Sequence, residues 1–255
     1  LRGRHISSNR YVPMILPDGR SLHGINDASI RIGLRLSKDE TIVRMPFEVR
    51  HMGSKYPIFS FDFTGAKRGV LPASYDYLRL EGRMQYRLNL PPIGYSQLML
   101  EGGKIFGKVP YLLLKLHEGN GTYFYDRYAF SCMNFYEFSS DAWISFFYEH
   151  HFNGFLLGRV PLLKKLNWRE VFVFKGVYGT LSARNDGSLP NTKAVMLFPV
   201  GMSSVEHPYL ETGFGIENIF RLLRVDCIWR LTHHRAVPGL SIPTFTVNFS
   251  LNLKF

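Results

Sequence analysis

The final stretch of the chain, TFTVNFSLNLKF, alternates apolar and polar residues. Successive side chains of a strand point to opposite faces. Phe245, Val247, Phe249, Leu251, Leu253 and Phe255 therefore share one face, and Thr246, Asn248, Ser250, Asn252 and Lys254 share the other. The same period recurs upstream. In SIRIGLRL (29–36), Ile30, Ile32, Leu34 and Leu36 oppose Arg31 and Arg35. Residues 43–50 set Val43, Met45, Phe47 and Val49 against Arg44, Glu48 and Arg50. Residues 78–88 set Leu78, Leu80, Met84, Tyr86 and Leu88 against Arg79, Glu81, Arg83, Gln85 and Arg87. Residues 225–232 place Val225, Cys227, Trp229 and Leu231 opposite Asp226, Arg230 and Thr232. Further strands are predicted near 57–63, 95–105, 124–138, 141–151, 168–179 and 208–216, making eleven, with a twelfth candidate at 10–16. Strand after strand separated by turn residues predicts an antiparallel all-β fold. No βαβ order and no GxGxxG fingerprint is present.

Such alternation has two readings. In a soluble sandwich or barrel the apolar face points inward. In a transmembrane barrel it faces lipid, and the polar face lines the lumen. The terminal pattern is longer than the roughly 5–6 residues of an ordinary strand and fits the roughly 9–11 residues of a tilted spanning strand. The expectation is an antiparallel transmembrane β-barrel of about 10–12 strands in this chain. Residues 28–255 would form it, after a lead-in segment at 1–27. Its lumen charges would be Arg79, Glu81, Arg83 and Arg87, with Arg44, Glu48 and Arg50 from a neighbouring strand. A soluble β-barrel carrying a lipid-like ligand is the alternative.

Composition agrees with the membrane reading. The chain has 255 residues, 21 Phe and 14 Tyr, an aromatic load suited to strands and interfacial girdles. It has no run of about 18 apolar residues, so no transmembrane helix is expected. The formal net charge of +11 points to anionic partners. Cys132 and Cys227 form no CxxC and are expected to be unpaired. The chain opens on Leu1, without initiator Met or signal peptide, and is read as mature or excised from a longer precursor.

With the C-terminus in the periplasm, the connections 37–40, 64–75, 106–123, 152–167 and 217–222 would lie on that side. Those at 51–55, 89–94, 139–140, 180–207 and 233–242 would lie outside. GKVPYLLLKL (107–116) and GRVPLLKKLN (158–167) share G-[KR]-V-P-x-L. Their Leu-rich, Lys-bearing character predicts short interfacial helices near 108–116 and 155–166, with a third near 217–223. Pro110, Leu112, Pro161, Leu162, Lys164 and Lys165 would form a periplasmic rim, a platform for lipid or a partner.

Catalytic and metal chemistry find little support. In YEHHF, Glu149 and His151 share a strand face, but HExxH and an identifiable third ligand are absent. These histidines, with His233 and His234, are expected to be solvated. Basic and aromatic residues sort onto opposite faces, which suits nucleic-acid binding poorly. No cofactor, metal or catalytic residue is assigned.

Three blocks carry a resemblance: EGGKIFGKVPYLLLKLHEGN, MNFYEFSSDAWISFFYEHHFNGFLLGRVPLLKKLNWREV and PYLETGFGIENIFRLLRVDCIWRLTHH. They resemble the C-terminal barrel of a Bacteroidota outer-membrane family of unknown function, over roughly 28–255. Members often follow a carboxypeptidase-regulatory-like β-sandwich, and the barrel looks distantly related to that of outer-membrane assembly factors. The resemblance implies the C-terminal portion of a larger barrel in the outer membrane of a Gram-negative bacterium. It also implies that the alternating last strand acts as an insertion signal. The expected function is non-enzymatic, in envelope transport or outer-membrane assembly; the alternative is a membrane-anchored scaffold presenting the sandwich to a partner complex. Expected partners are outer-membrane lipid or lipopolysaccharide and other outer-membrane or periplasmic proteins, and no nucleic acid.

Overall fold

A computed structural model describes residues 1–45, 47–70, 72–189, 193–235 and 240–251. Its strands are β1 (Arg2–Ser7), β2 (Gly24–Leu36), β3 (Thr41–Met45), β4 (Glu48–Gly53), β5 (Ile58–Ala66), β6 (Tyr77–Asn89), β7 (Tyr95–Gly107), β8 (Lys115–Leu116), β9 (Phe138–Ser140), β10 (Ala142–His151), β11 (Arg169–Thr180), β12 (Ser203–Ser204), β13 (Tyr209–Ile219), β14 (Leu223–Arg230) and β15 (Phe245–Leu251). Ten of them form one antiparallel sheet in the order β1-β2-β5-β6-β7-β10-β11-β13-β14-β15. Each pairs with the next spanning strand along the chain, the up-and-down order of a barrel. Among the described residues β1 and β15 are its two edges. At about 3.3 Å per residue, the longer strands can cross a hydrocarbon layer about 30 Å thick while tilted.

The structure departs from the expected strands at two places. Residues 43–50 are not a spanning strand. They lie in the separate β3–β4 hairpin, so Arg44 and Glu48 stand exposed outside the main sheet. Arg50 belongs to β4, but its side chain lies outside the described part. Residues 124–138 are an aromatic connection, with strand only from Phe138. Each extra strand reverses the assigned end of the connections between them. The turns at 51–55, 64–75, 89–94 and 106–123 therefore sit at the opposite end of the sheet from that expected. The ends of 37–40, 139–140, 152–167, 180–207, 217–222 and 233–242 follow the expected order. Part of the 1–27 lead-in is strand, since β1 pairs with β2 from Arg2↔Ser29 to Ser7↔Gly24. The 10–16 segment makes only an isolated bridge, Ile15↔Ser21.

The helices are shorter than expected. A three-residue 3-10 turn occupies Tyr111–Leu113, another occupies Leu157–Arg159, and α1 spans Pro161–Lys164. Residues 217–223 form the tight β13–β14 turn, closed by the bond from Arg221 N–H to the Asn218 carbonyl (3.1 Å). The described residues contain no helix long and apolar enough to cross a membrane, which says nothing of strands.

The outer surface carries the apolar half of each alternation. Ile30, Ile32, Leu34, Phe61, Phe63, Ile144, Tyr178, Phe214, Trp229 and Phe245 are all exposed, Ile32 at 65% and Phe214 at 61%. Their polar sequence neighbours on β10–β15 (Ser145, Lys175, Asp226, Arg230 and Asn248) are buried at 3% or less. This is the reverse of a soluble barrel and the arrangement expected of a lipid-facing wall.

Two apolar clusters fill the interior. One, under the long connections, joins Met14, Ile105, Val109, Tyr111, Trp143 and Met196. The Trp143 ring covers Gly103, where an added Cβ would lie 2.6 Å from ring atoms. The other packs Phe130, Met133 and Phe138 against Met99, Phe147, Val177 and Tyr209 of the inner wall. Each such side chain contributes about 1.5–3 kcal/mol when fully buried.

Candidate functional site: the filled interior

The connection from β7 to β10, residues 108–141, folds back against the inner face of β10–β15. Small β8–β9–β12 pairings stiffen it. Buried polar groups on the strands hold it at four places.

Glu149 of β10 is the first anchor. Its carboxylate accepts bonds from Arg127 Nε (2.7 Å) and Arg224 (3.1 Å), and from the Tyr125 hydroxyl. His151 Nε2 lies 3.4 Å away, and its Nδ1 lies 3.2 Å from Glu217. Arg224 also grips Asp226 through Nε and a terminal nitrogen, at 2.8–3.0 Å. The Tyr125 ring sits between two cations, Lys175 Nζ at 4.5 Å and the Arg224 guanidinium at 4.4 Å. Charge-assisted bonds of this kind are roughly twice as strong as neutral ones, more so away from water.

Glu211 of β13 is the second anchor. Its two oxygens accept the backbone N–H groups of Ser131 (2.8 Å) and Cys132 (2.7 Å), and the Tyr209 hydroxyl at 2.6 Å. Lys175 stands directly across from it in register and donates to the carbonyls of Asp126 (2.7 Å) and Ala129 (2.6 Å). Arg230, on the other side of Glu211, is the third anchor; it pairs with Glu137 (2.5 Å) and donates to the Cys132 carbonyl (3.2 Å). The row Lys175–Glu211–Arg230 thus alternates in sign across three strands and finishes on a carboxylate of the inserted segment. The fourth anchor is backbone. Tyr125 N–H donates to the Phe249 carbonyl and Phe249 N–H to the Tyr123 carbonyl, both at 2.7 Å. Segment 123–125 thereby occupies part of the outer edge of β15.

The wall of β1–β7 is less covered. Arg79, Glu81 and Arg83 line interior cavities of about 300, 260 and 210 Å³ between that wall and residues 112–118. Arg83 and Lys115 both pair with Glu101, at 2.5 and 2.7 Å. Arg87 lines a wider vestibule of about 870 Å³, at the end that carries the C-terminus. Four of the seven charges assigned to a lumen thus line these spaces, with Arg83 and Arg87 remaining exposed.

Sequence reasoning missed the packed half. Glu149 and His151 share a face as expected, but they are buried hubs rather than solvated strand-end groups. His150 is also buried, 2.8 Å from Ser96 Oγ. His233 meets the Phe138 ring edge-on, with centroids 5.0 Å apart. The available signal was a lone charge at a polar-face position of an otherwise apolar strand, as for Lys175 in VFVFKGV and Glu211 in YLETGF. Pro110 and Leu112 lie at the opposite end from Pro161, Leu162, Lys164 and Lys165, so the six residues form no single rim. Phe245, Val247, Phe249 and Leu251 share the outward face of β15, whereas Leu253 and Phe255 lie outside the described residues. Cys132 and Cys227 are unpaired. Among the described residues no group of three or more His, Cys, Asp and Glu could hold a metal ion.

His117, which lies outside the spanning strands, gives the docked segment a pH dependence. Burial, then the Lys115 charge, pushes its pKa down to about 3. The ring is neutral when docked and lies 3.0 Å from Ser140 Oγ. A released chain binds a proton in the ordinary histidine range, so docking weakens as pH falls from that range towards 3, by up to about 1.4 kcal/mol per pH unit. Acidification to about pH 5 is expected to raise hydrogen exchange over 130–140, corrected for intrinsic rates, and His117→Gln to flatten that response. A wild-type response as flat as the variant's would contradict the assignment.

A model of the "Family of unknown function (DUF5686) C-terminal domain" matches residues 3–183. The chain belongs to this family. The whole inserted segment and all of the β1–β11 wall except Arg2 fall inside the matched range; the Glu211, Arg224 and Arg230 anchors lie beyond it. Among solved structures, the DUF5686 chain is similar to the crystal structure of BamA from Haemophilus ducreyi lacking POTRA domains 1–3. The TM-score is 0.52 at 11% identity, over 93% of this chain and 45% of that one. The likeness is one of fold, and the chain spans less than half of that structure. No curated protein matches.

Proposed function

We propose that this protein is an integral outer-membrane β-barrel component of a Gram-negative bacterium that acts in envelope assembly or transport without catalysing a reaction. The observation that carries the reading is the inverted surface, apolar side chains outward and ion pairs buried inward. A soluble lipid carrier would need the apolar face turned in. In this reading the outward residues of β15, with Leu253 and Phe255, serve as the insertion signal. The segment 118–137 favours a closed lumen over an open diffusion pore. That filled interior also supports the second reading, a scaffold that holds an N-terminal β-sandwich at the membrane for a partner complex.

The test is extraction and reconstitution of the full-length protein. It should require detergent, run as a heat-modifiable band and show no steady conductance in planar bilayers. Recovery without detergent would overturn the membrane reading, and a large steady conductance would overturn the closed lumen. Depletion that lowers the abundance of other outer-membrane proteins would favour assembly; loss of a single solute's uptake would favour transport.

A further inference from the structure

At the end of the sheet where β15 finishes, residues 152–168 form a loop braced by its own hydrogen bonds. Phe152 N–H bonds the Glu170 carbonyl (3.0 Å), Gly158 N–H the Gly154 carbonyl (2.8 Å) and Lys164 N–H the Val160 carbonyl (2.9 Å). The Glu170 carboxylate accepts Leu157 N–H, and the Arg159 guanidinium lies 4.0 Å from the Phe155 ring centroid. The Asn218 side-chain amide donates to the Asn167 carbonyl (2.7 Å), joining this loop to the β13–β14 turn. Packing that fixes the backbone so well leaves its largest apolar groups uncovered. Leu162 is 83% and Phe220 89% exposed, with Leu156 and Leu166 also exposed. Large apolar groups left uncovered on two joined loops mark an interaction surface.

The charge of the patch selects the partner. Segments 152–168 and 218–222 contain Arg159, Lys164, Lys165 and Arg221, all exposed, and no Asp or Glu. The two adjoining carboxylates are turned away from the patch: Glu170 accepts Leu157 N–H inside the loop, and Glu217 is buried beside His151. On the strands above it, the outward rings of Tyr148, Phe172 and Phe214 meet edge-on or tilted, with centroids 6.4 and 5.2 Å apart. Leucine and phenylalanine beside lysine and arginine, at the border of an apolar belt, is the composition of an interfacial membrane element. The longest connections, 108–141 and 181–208, leave the opposite end, as extracellular loops do, so this end faces the periplasm.

We propose that residues 156–166 and 220–222 form a collar that binds anionic phospholipid of the periplasmic leaflet. Arg159, Lys164, Lys165 and Arg221 engage the headgroup phosphates, and Leu162 and Phe220 enter the acyl boundary. The inference rests on the membrane reading, and its test separates the two.

Full-length protein and the variant R159Q/K164Q/K165Q/R221Q are titrated in detergent with phosphatidylglycerol or phosphatidylcholine and read by native mass spectrometry. Wild type should prefer phosphatidylglycerol, and the preference should fall by about fivefold per basic side chain removed. Equal binding of both lipids by wild type, or an unchanged preference in the variant, overturns the collar. Both proteins are also checked for heat-modifiable mobility and membrane fractionation. If those persist while the lipid preference is absent, the collar fails and the membrane reading stands. A photo-cross-linker at Leu162 in cells should label lipid; a dominant acidic protein adduct would overturn the assignment.

Discussion

Glu149→Ala is expected to destabilise the folded barrel by about 3–5 kcal/mol, the usual cost of removing one partner from a buried ion network. The carboxylate is 1% exposed and is bonded by Arg127, Arg224 and Tyr125, with His151 alongside. Its removal leaves the Arg224 guanidinium with Asp226 alone and frees Arg127 of the inserted segment. Glu149→Gln keeps the shape and one acceptor oxygen but loses the charge, and should fall between wild type and alanine. The measurement is the temperature at which the heat-modifiable band converts. A loss below about 1 kcal/mol, typical of an exposed pair, would mean that water reaches this part of the interior.

Glu211→Ala is expected to release the inserted segment while the sheet persists. Three donors lose their acceptor at once: the N–H groups of Ser131 and Cys132 and the hydroxyl of Tyr209. Each orphaned buried donor costs about 1–3 kcal/mol. The expected result is protease cleavage within 118–137 and the appearance of conductance steps in bilayers, with the heat-modifiable band retained. Arg20→Ala, which removes the exposed pair with Asp18, is the control and should change nothing. A variant that stays closed would show that the remaining three anchors and the cluster of Phe130, Phe138 and Tyr209 suffice to keep the segment docked.

Much of the wall was legible because period-two alternation is a local property. Strands at 29–36, 78–88, 95–105 and 141–151 lie where the pattern put them. The errors arose where alternation lacks a spanning partner. Val43, Met45, Phe47 and Val49 alternate as a membrane strand does, yet β3 and β4 pair with each other as a hairpin and with no spanning strand. Residues 124–138 are rich in aromatics, of which Phe130 and Phe138 are buried against the inner wall, and an interior position selects the same residue types as a lipid-facing one. The anchors were out of reach for another reason. Glu211 with Ser131, and Arg230 with Glu137, join residues about eighty to ninety positions apart, and no local pattern encodes such a pairing.

The segment that closes the interior leaves the sheet after β7, but its partners sit on β10, β11, β13, β14 and β15. Synthesis therefore delivers the stopper long before its seat. Until Phe249 arrives, Tyr123 and Tyr125 have no strand edge to pair with, and until Leu223–Arg230 are in place Glu137 has no arginine. Contacts so distant in sequence form late. A nascent or truncated chain ending before β14 would carry a hydrated, protease-accessible interior, so the moment of sealing is set by the last strand rather than by the loop itself.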